Sequence, residues 1–183
     1  LTAQLSHPNV VTVFDYGQTP DGVFYYAMEL LDGRDLEDIV EQTGPLPPAR
    51  AVHILTQVAG ALAEAHAVGL IHRDLTPANI ILCARGSAFD VAKVVDFGLV
   101  KQLGAEAASA DGGKSTATSG PDVSRVGSIV GTPMYLAPEA LRDPSSLDGR
   151  ADLYALGAVA YFLLTGTVVF GGNSVMEACR HHL

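Results

Sequence analysis

Positive charge and cysteine are what this sequence has least of. Eleven Lys and Arg stand against twenty Asp and Glu in 183 residues, a net charge of -9 with an isoelectric point near 4.9. Nucleic acids and anionic membrane surfaces draw proteins in through a positive field, so neither is an expected partner of this segment. The two cysteines, Cys83 and Cys179, lie far apart and outside any CxxC or Cys/His ligand spacing. That pattern gives a disulfide or zinc framework little support and predicts buried free thiols in a reducing, cytoplasmic setting. No basic stretch running into an apolar core and a small-residue cleavage site opens the chain, and no internal repeat runs through it. An uncharged run does exist, "LYALGAVAYFLLTGTVVF" from Leu153 to Phe170. A membrane span wants about 20 apolar residues, and "TGT" at Thr165 to Thr167 should break this one after three turns. With Asp152 expected to cap its start, it reads as a helix buried in protein.

What is present is ample apolar material, 48% of residues against 17% charged, enough for one sizeable core and a small second lobe. "VVTVF" (Val10 to Phe14) and "VFYYAMEL" (Val23 to Leu30) are rich in β-branched and aromatic residues and flank the turn formers "DYGQTPDG", which predicts a hairpin. After Gly33 the spacing becomes helical, with Leu36, Ile39 and Val40 at i, i+3, i+4 and the breaker "TGPLPP" behind them. A second helix is expected from Pro48 to His66, with Ala51, Leu55, Val58, Ala59 and Leu62 on its apolar face and the prolines where a missing N–H costs little. "NIILC" and "VAKVVDFG", separated by "ARGSAFD", predict a second small hairpin. Residues 104–124 lack apolar periodicity and are expected to form a mobile loop. Near the end, Asn173 or Ser174 is the expected cap of a last helix.

Chemistry concentrates around the second hairpin. Asp74 and Asn79 lie five apart in a loop that leads into its first strand, and Asp96 ends its second. Two carboxylates and an amide oxygen around short strands suit a divalent ion on a polyphosphate and the orientation of a hydroxyl nucleophile. In order along the chain come "HRDLTPAN", "VVDFG", "GTPMYLAPE" and "DLYALG". Together they resemble the catalytic-loop, DFG and APE signatures of eukaryotic-type protein kinases, and most closely those of bacterial serine/threonine kinases. "LSHPNVV" resembles the start of the fourth N-lobe strand of that family, and "YYAMELLDG" its fifth strand and hinge.

The resemblance implies an α+β, protein-kinase-like fold, with residues 1–33 as a remnant of the β N-lobe and residues 34–183 as a mostly helical C-lobe. It implies ATP and Mg2+ as the bound species and proteins bearing Ser or Thr as substrates, with self-association for autophosphorylation. Asp74 would be the catalytic base or orienting acceptor, and Asn79 and Asp96 the magnesium ligands. Met28 would be the gatekeeper, the backbones of Glu29 and Leu31 would pair with adenine, Ile81 would floor its pocket, and Asp35 would reach the ribose. Thr132 would line the substrate pocket and bond Asp74, while His72 and Phe97 would stack and Asp152 would hold the catalytic-loop backbone. Arg73 would receive a phosphate from the activation segment, with Ser124 or Ser128 as the modified residue. The remaining histidines, His53, His66, His181 and His182, are expected on helix faces or at the surface.

Thr76 departs from the family pattern, in which a lysine supports the transferring phosphoryl group. Losing one cationic stabiliser costs on the order of 10²- to 10³-fold in rate. A weakly active or inactive pseudokinase scaffold is therefore the alternative to an enzyme. The resemblance also places the Gly-rich loop, its lysine and the paired glutamate before Leu1, and the partner of Glu139 after Leu183. The chain is thus expected to be an inactive fragment of a longer protein kinase.

Overall fold

The computed structural model describes residues 5–86, 88–97, 132–143, 146–171 and 175–183. Alternating aromatic and β-branched residues form the expected first hairpin, β1 (Val13–Gln18) antiparallel to β2 (Phe24–Met28), with Tyr16 opposite Tyr26. The turn is tighter than its composition suggests. Asp15 to Gln18 continue the strand, and Thr19 closes the reversal by donating from N and Oγ1 to the Val23 carbonyl at 2.9 and 3.1 Å. Val10 and Val11, expected in this first strand, lie elsewhere. Val10 bridges to Val94 in parallel and Val11 N donates to Val94 O at 2.9 Å. The anchor is Asn9, whose Nδ2 donates to Ala92 O at 2.7 Å and to Gln57 Oε1 at 2.9 Å. Burying both valines beside that amide outweighs extending a half-exposed ribbon.

The second sheet has the order β3-β4-β5, all antiparallel, from β3 (Gly33–Asp35), β4 (Ile80–Arg85) and β5 (Ala88–Val94). β4 and β5 are the expected second hairpin; β3 is too short to carry a periodic pattern. Gly33 sits where two backbones meet, and a Cβ there would collide with the Leu82 carbonyl, so glycine is required for close approach.

Asp35 ends β3 and caps helix α1 (Leu36–Thr43), accepting from Asp38 N at 2.8 Å. Leu36, Ile39 and Val40 are its buried face, as spaced. Helix α2 (Pro48–Ala67) starts at its prolines and buries Ala51, Ile54, Val58, Ala61, Leu62 and Ala65. Leu55 and Ala59, expected on this face, are only half-buried; the i, i+3, i+4 stripe runs through Ile54 and Ala61 instead. Ile54, Val58 and Leu62 are fully enclosed, and each such side chain contributes about 1.5–3 kcal/mol relative to exposure.

Two helices, α3 (Pro138–Arg142) and α4 (Arg150–Thr165), follow, and α5 (Val175–His181) is the last. α4 packs Ala155, Ala158, Val159, Phe162 and Leu163 into the same core as α2. It ends where expected, at Gly166 in the left-handed region (φ 73°), whose N–H donates to Phe162 O at 2.8 Å. Its start differs from expectation. Gly149 occupies the cap position without a side-chain bond, and Asp152 turns inward because backbone donors of a neighbouring loop offer its buried carboxylate fuller satisfaction than its own helix end. Asn173 and Ser174, the expected caps of α5, and residues 104–124 lie outside the described residues. Among the described residues no helix is long and apolar enough to cross a membrane, and Cys83 and Cys179 are buried and form no disulfide.

Candidate active site

The loop before β4 is built around one carboxylate. Asp152 is fully enclosed; its Oδ2 accepts from His72 N at 2.9 Å and its Oδ1 from Arg73 N at 2.8 Å. His66 Nε2 of α2 lies 2.7 Å from the same Oδ2. Three donors on one buried carboxylate satisfy the desolvation cost that a lone charge would carry. The expected role of Asp152 in holding this loop therefore has its geometry, while its expected capping role does not. Arg73 adopts φ 71°, a left-handed conformation that costs a non-glycine residue energy and turns the half-buried Asp74 away from the core. A 3-10 turn, Pro77–Asn79, then leads into β4.

Four hydrogen bonds gather Asp74, Asn79 and the strand end bearing Asp96. Asn79 Nδ2 donates to Asp74 O at 2.8 Å, Val95 N to Asn79 O at 3.0 Å, and His72 Nε2 to Val95 O at 2.9 Å. Thr132 N donates to Asp74 Oδ1 at 2.9 Å, so the expected Thr132–Asp74 contact is made by the backbone. Asp96 is exposed with φ 59°, and next to it Phe97 buries its ring 4.7 Å from that of His72. Burial pushes the His72 imidazole below its ordinary value of 6.5 and keeps the ring neutral, with one N–H for the Val95 carbonyl. Thr76 is buried beneath this loop and supplies no charge to it.

The Asn79 amide and Asp96 carboxylate are the oxygen donors expected to meet a cation, and no group of three or more His, Cys, Asp or Glu side chains that could hold a metal exists among the described residues. Two hard oxygen ligands without a closed protein cage suit Mg2+, which keeps waters and is completed by substrate phosphates.

The hinge residues end β2 and lead to β3. Met28 is half-buried opposite Val13, and Glu29 N donates to Thr12 O at 2.9 Å. Ile81 stands opposite Asp35 in the β3–β4 register. Asp35 commits an oxygen to capping α1, so its expected contact with a ribose draws on its second oxygen.

Sequence reasoning missed one buried charge, the pairing of His66 and the burial of His182. Lys93 of β5 is nearly enclosed, and its Nζ pairs with Glu29 Oε1 and donates to Val10 O at 3.0 Å. A lone cation inside "VAKVV" was the available signal: a buried strand tolerates lysine only with a partner. His66 lies on a helix face, one of its two expected places, but there it is the Asp152 partner, and His182, expected on a helix face or at the surface, is buried with only 7% exposure. Ser124 and Ser128 lie outside the described residues; Arg73 is exposed.

A family model described as "Protein kinase domain" matches residues 1–183. The chain belongs to the protein kinase domain family. It is 40% identical over 181 residues to serine/threonine-protein kinase pkn3 of Myxococcus xanthus, covering 99% of this chain and 31% of that protein. It is 39% identical over 184 residues to the serine/threonine-protein kinase PknB of Mycobacterium tuberculosis, covering 99% and 26%. The chain thus spans less than a third of the length of these curated relatives. Among solved structures, the PknI kinase domain of Mycobacterium tuberculosis superposes with a TM-score of 0.67 at 30% identity, over 93% of this chain and 56% of that one. A Rad53 fragment, residues 1–466 in complex with AMP-PNP, gives 0.72 at 26% identity, over 98% and 39%. The protein kinase fold expected from the motifs is therefore the fold observed, and relatives named serine/threonine-protein kinases favour the enzyme over the pseudokinase alternative.

Proposed function

We propose that the protein containing this chain transfers the γ-phosphoryl group of ATP to serine or threonine hydroxyls of proteins, itself included, from a cytoplasmic kinase module. The observation that carries this reading is the single hydrogen-bonded assembly of Asp74, Asn79, Thr132 and the strand end at Asp96. Asp74 would accept or orient the substrate hydroxyl proton, with one oxygen steadied by Thr132 N. Asn79 and Asp96 would hold Mg2+, which when bound neutralises charge on the phosphates. Met28, the backbones of Glu29 and Leu31, Ile81 and Asp35 would receive the nucleotide between residues 1–33 and residues 34–183, acting as two lobes. Arg73, exposed beside Asp74, would take a phosphate carried on Ser124 or Ser128. Self-association would bring one copy's activation segment to another's site.

The test is transfer of radiolabelled phosphate from ATP with Mg2+ by the gene product that contains this chain, to itself and to a generic basic protein. The expected result is label on Ser and Thr that falls at least about 10³-fold in Asp96→Asn. Folded wild-type protein that transfers no label would end the proposal, and phosphopeptides confined to Ser109 to Ser119 would end the assignment of Ser124 or Ser128.

A further inference from the structure

His182 does not act at the reacting atoms, yet it is buried directly beneath the turn that carries Thr132. Its Nδ1 lies 2.7 Å from Tyr154 Oη of α4, and the Phe170 ring meets it edge-on at 4.9 Å. Its Nε2 is buried with no hydrogen-bond partner among the described residues. The Pro133 carbonyl is the backbone group that favours a proton on this ring, and that carbonyl's bond from Leu136 N is long, 3.5 Å. Pro133 opens the 3-10 turn Pro133–Tyr135, with Tyr135 N donating back to Thr132 O at 3.0 Å. Thr132 N in turn holds Asp74 Oδ1 at 2.9 Å.

Contacts run from α4 to His182 and from the Pro133–Tyr135 turn to the catalytic carboxylate, and α5 packs against that turn, so the one link to be supplied between them is from the unpartnered His182 Nε2. Burial raises the Tyr154 hydroxyl above its ordinary value and lowers the His182 ring below its own, so a protonated phenol meets a neutral imidazole. A neutral imidazole carries one N–H. Placed on Nδ1, it would leave a bare Nε2 lone pair toward a carbonyl. Placed on Nε2, it lets Tyr154 O–H donate to Nδ1 and leaves a donor for the turn that α5 packs against, where Pro133 O is the acceptor.

We propose that His182 is a positioning residue for the protein substrate: oriented by Tyr154, it braces the Pro133–Tyr135 turn through its Nε2–H and so fixes where Thr132 presents a substrate hydroxyl to Asp74. Nucleotide binding at the hinge does not pass through this brace. The kinetic consequence rests on the phosphotransfer reading; the tautomer does not.

Two measurements on the gene product containing this chain test it. In steady-state transfer to a Ser/Thr peptide, His182→Leu raises the peptide KM about tenfold, the loss expected for one supporting hydrogen bond, and leaves the KM for ATP unchanged. His182→Gln, which keeps a donor near the Nε2 position, recovers most of that loss. Equal damage by Leu and Gln, or a peptide KM unmoved by either, overturns the proposal. In 15N NMR of the wild-type imidazoles, His182 shows the Nε2–H tautomer and Tyr154→Phe depletes it. An Nδ1–H tautomer in the wild type overturns the proposal, even if His182→Leu fails to fold. Wild-type protein without phosphotransfer would remove the kinase reading alone, and the tautomer would still decide the brace.

Discussion

One carboxylate and one amine side chain are buried among the described residues, Asp152 and Lys93, and they are satisfied in opposite ways. Asp152 is held by two backbone N–H groups of one loop and by His66, all within the helical part. Lys93 reaches across to the hinge, pairing with the Glu29 carboxylate and the Val10 carbonyl. The first arrangement makes a rigid platform for the catalytic loop. The second ties strand β5, which ends at Val94 two residues before Asp96, to the segment proposed to receive the nucleotide. A buried carboxylate satisfied by backbone fixes local geometry, whereas one buried lysine paired with a side chain couples two regions that can be separated.

The sharpest way to break this contrast is Asp152→Ala. It strands the His72 and Arg73 amides in the core and should cost about 3–5 kcal/mol, read as a lowered urea midpoint together with lost phosphotransfer. Asp152→Asn, which keeps both a size match and an acceptor, should cost less than half of that. A midpoint unchanged in the alanine variant would refute the platform.

Next in size is a change to the loop that Asp152 holds. Thr76→Lys restores a cation beside Asp74 and should raise the turnover number by up to about 10²-fold with little change in the urea midpoint; burial of Thr76 makes a shorter cation the fallback if the lysine lowers stability.

Lys93→Met should cost about 1–3 kcal/mol and raise the KM for ATP more than that for peptide. Combined with Glu29→Gln, it should show a coupling of about 1 kcal/mol or more in a double-mutant cycle. Additive effects would mean that the hinge and β5 are not coupled through this pair.

The smallest effect is the pH response of the platform. His72 has a folded-state value below its ordinary 6.5, so the unfolded chain binds the proton more readily. Stability should therefore be full above pH 6.5 and fall as pH drops through and below it, by at most about 1.4 kcal/mol per pH unit for one proton. Urea midpoints at pH 7.5 and 5.5 in wild type and His72→Phe measure it, and the variant should be flatter.

Much of this arrangement is legible in the sequence because it is local. Helix α1 follows from Leu36, Ile39 and Val40, the end of α4 from "TGT", and the β4–β5 hairpin from two apolar runs around a polar turn. The catalytic loop and Asp96 stand in motifs that are each only a few residues long, "HRDLTPAN" and "VVDFG". What escaped was long-range. Val10 and Val11 look like strand residues in either of two partners, and only Asn9 reaching Ala92 decides between them. His66 and Asp152 are 86 positions apart, Lys93 and Glu29 are 64, and no periodicity connects either pair. Strand β3 is three residues long and exists because Gly33 admits the neighbouring backbone. His182 resembles its exposed neighbour His181 in sequence, and only the packing of α5 against the Pro133–Tyr135 turn distinguishes them.

Gly33 has a use in the living cell that its role in packing does not suggest. It touches none of the groups assigned to chemistry, yet one added methyl would press on the Leu82 backbone where the hinge joins the sheet. Gly33→Ala is thus a candidate for a conditional allele: the backbone must shift to relieve the collision with the Leu82 carbonyl, which weakens the hinge while every catalytic side chain is still encoded. Such an allele would let the proposed phosphotransfer be switched off within a culture, without an inhibitor and without deleting the gene.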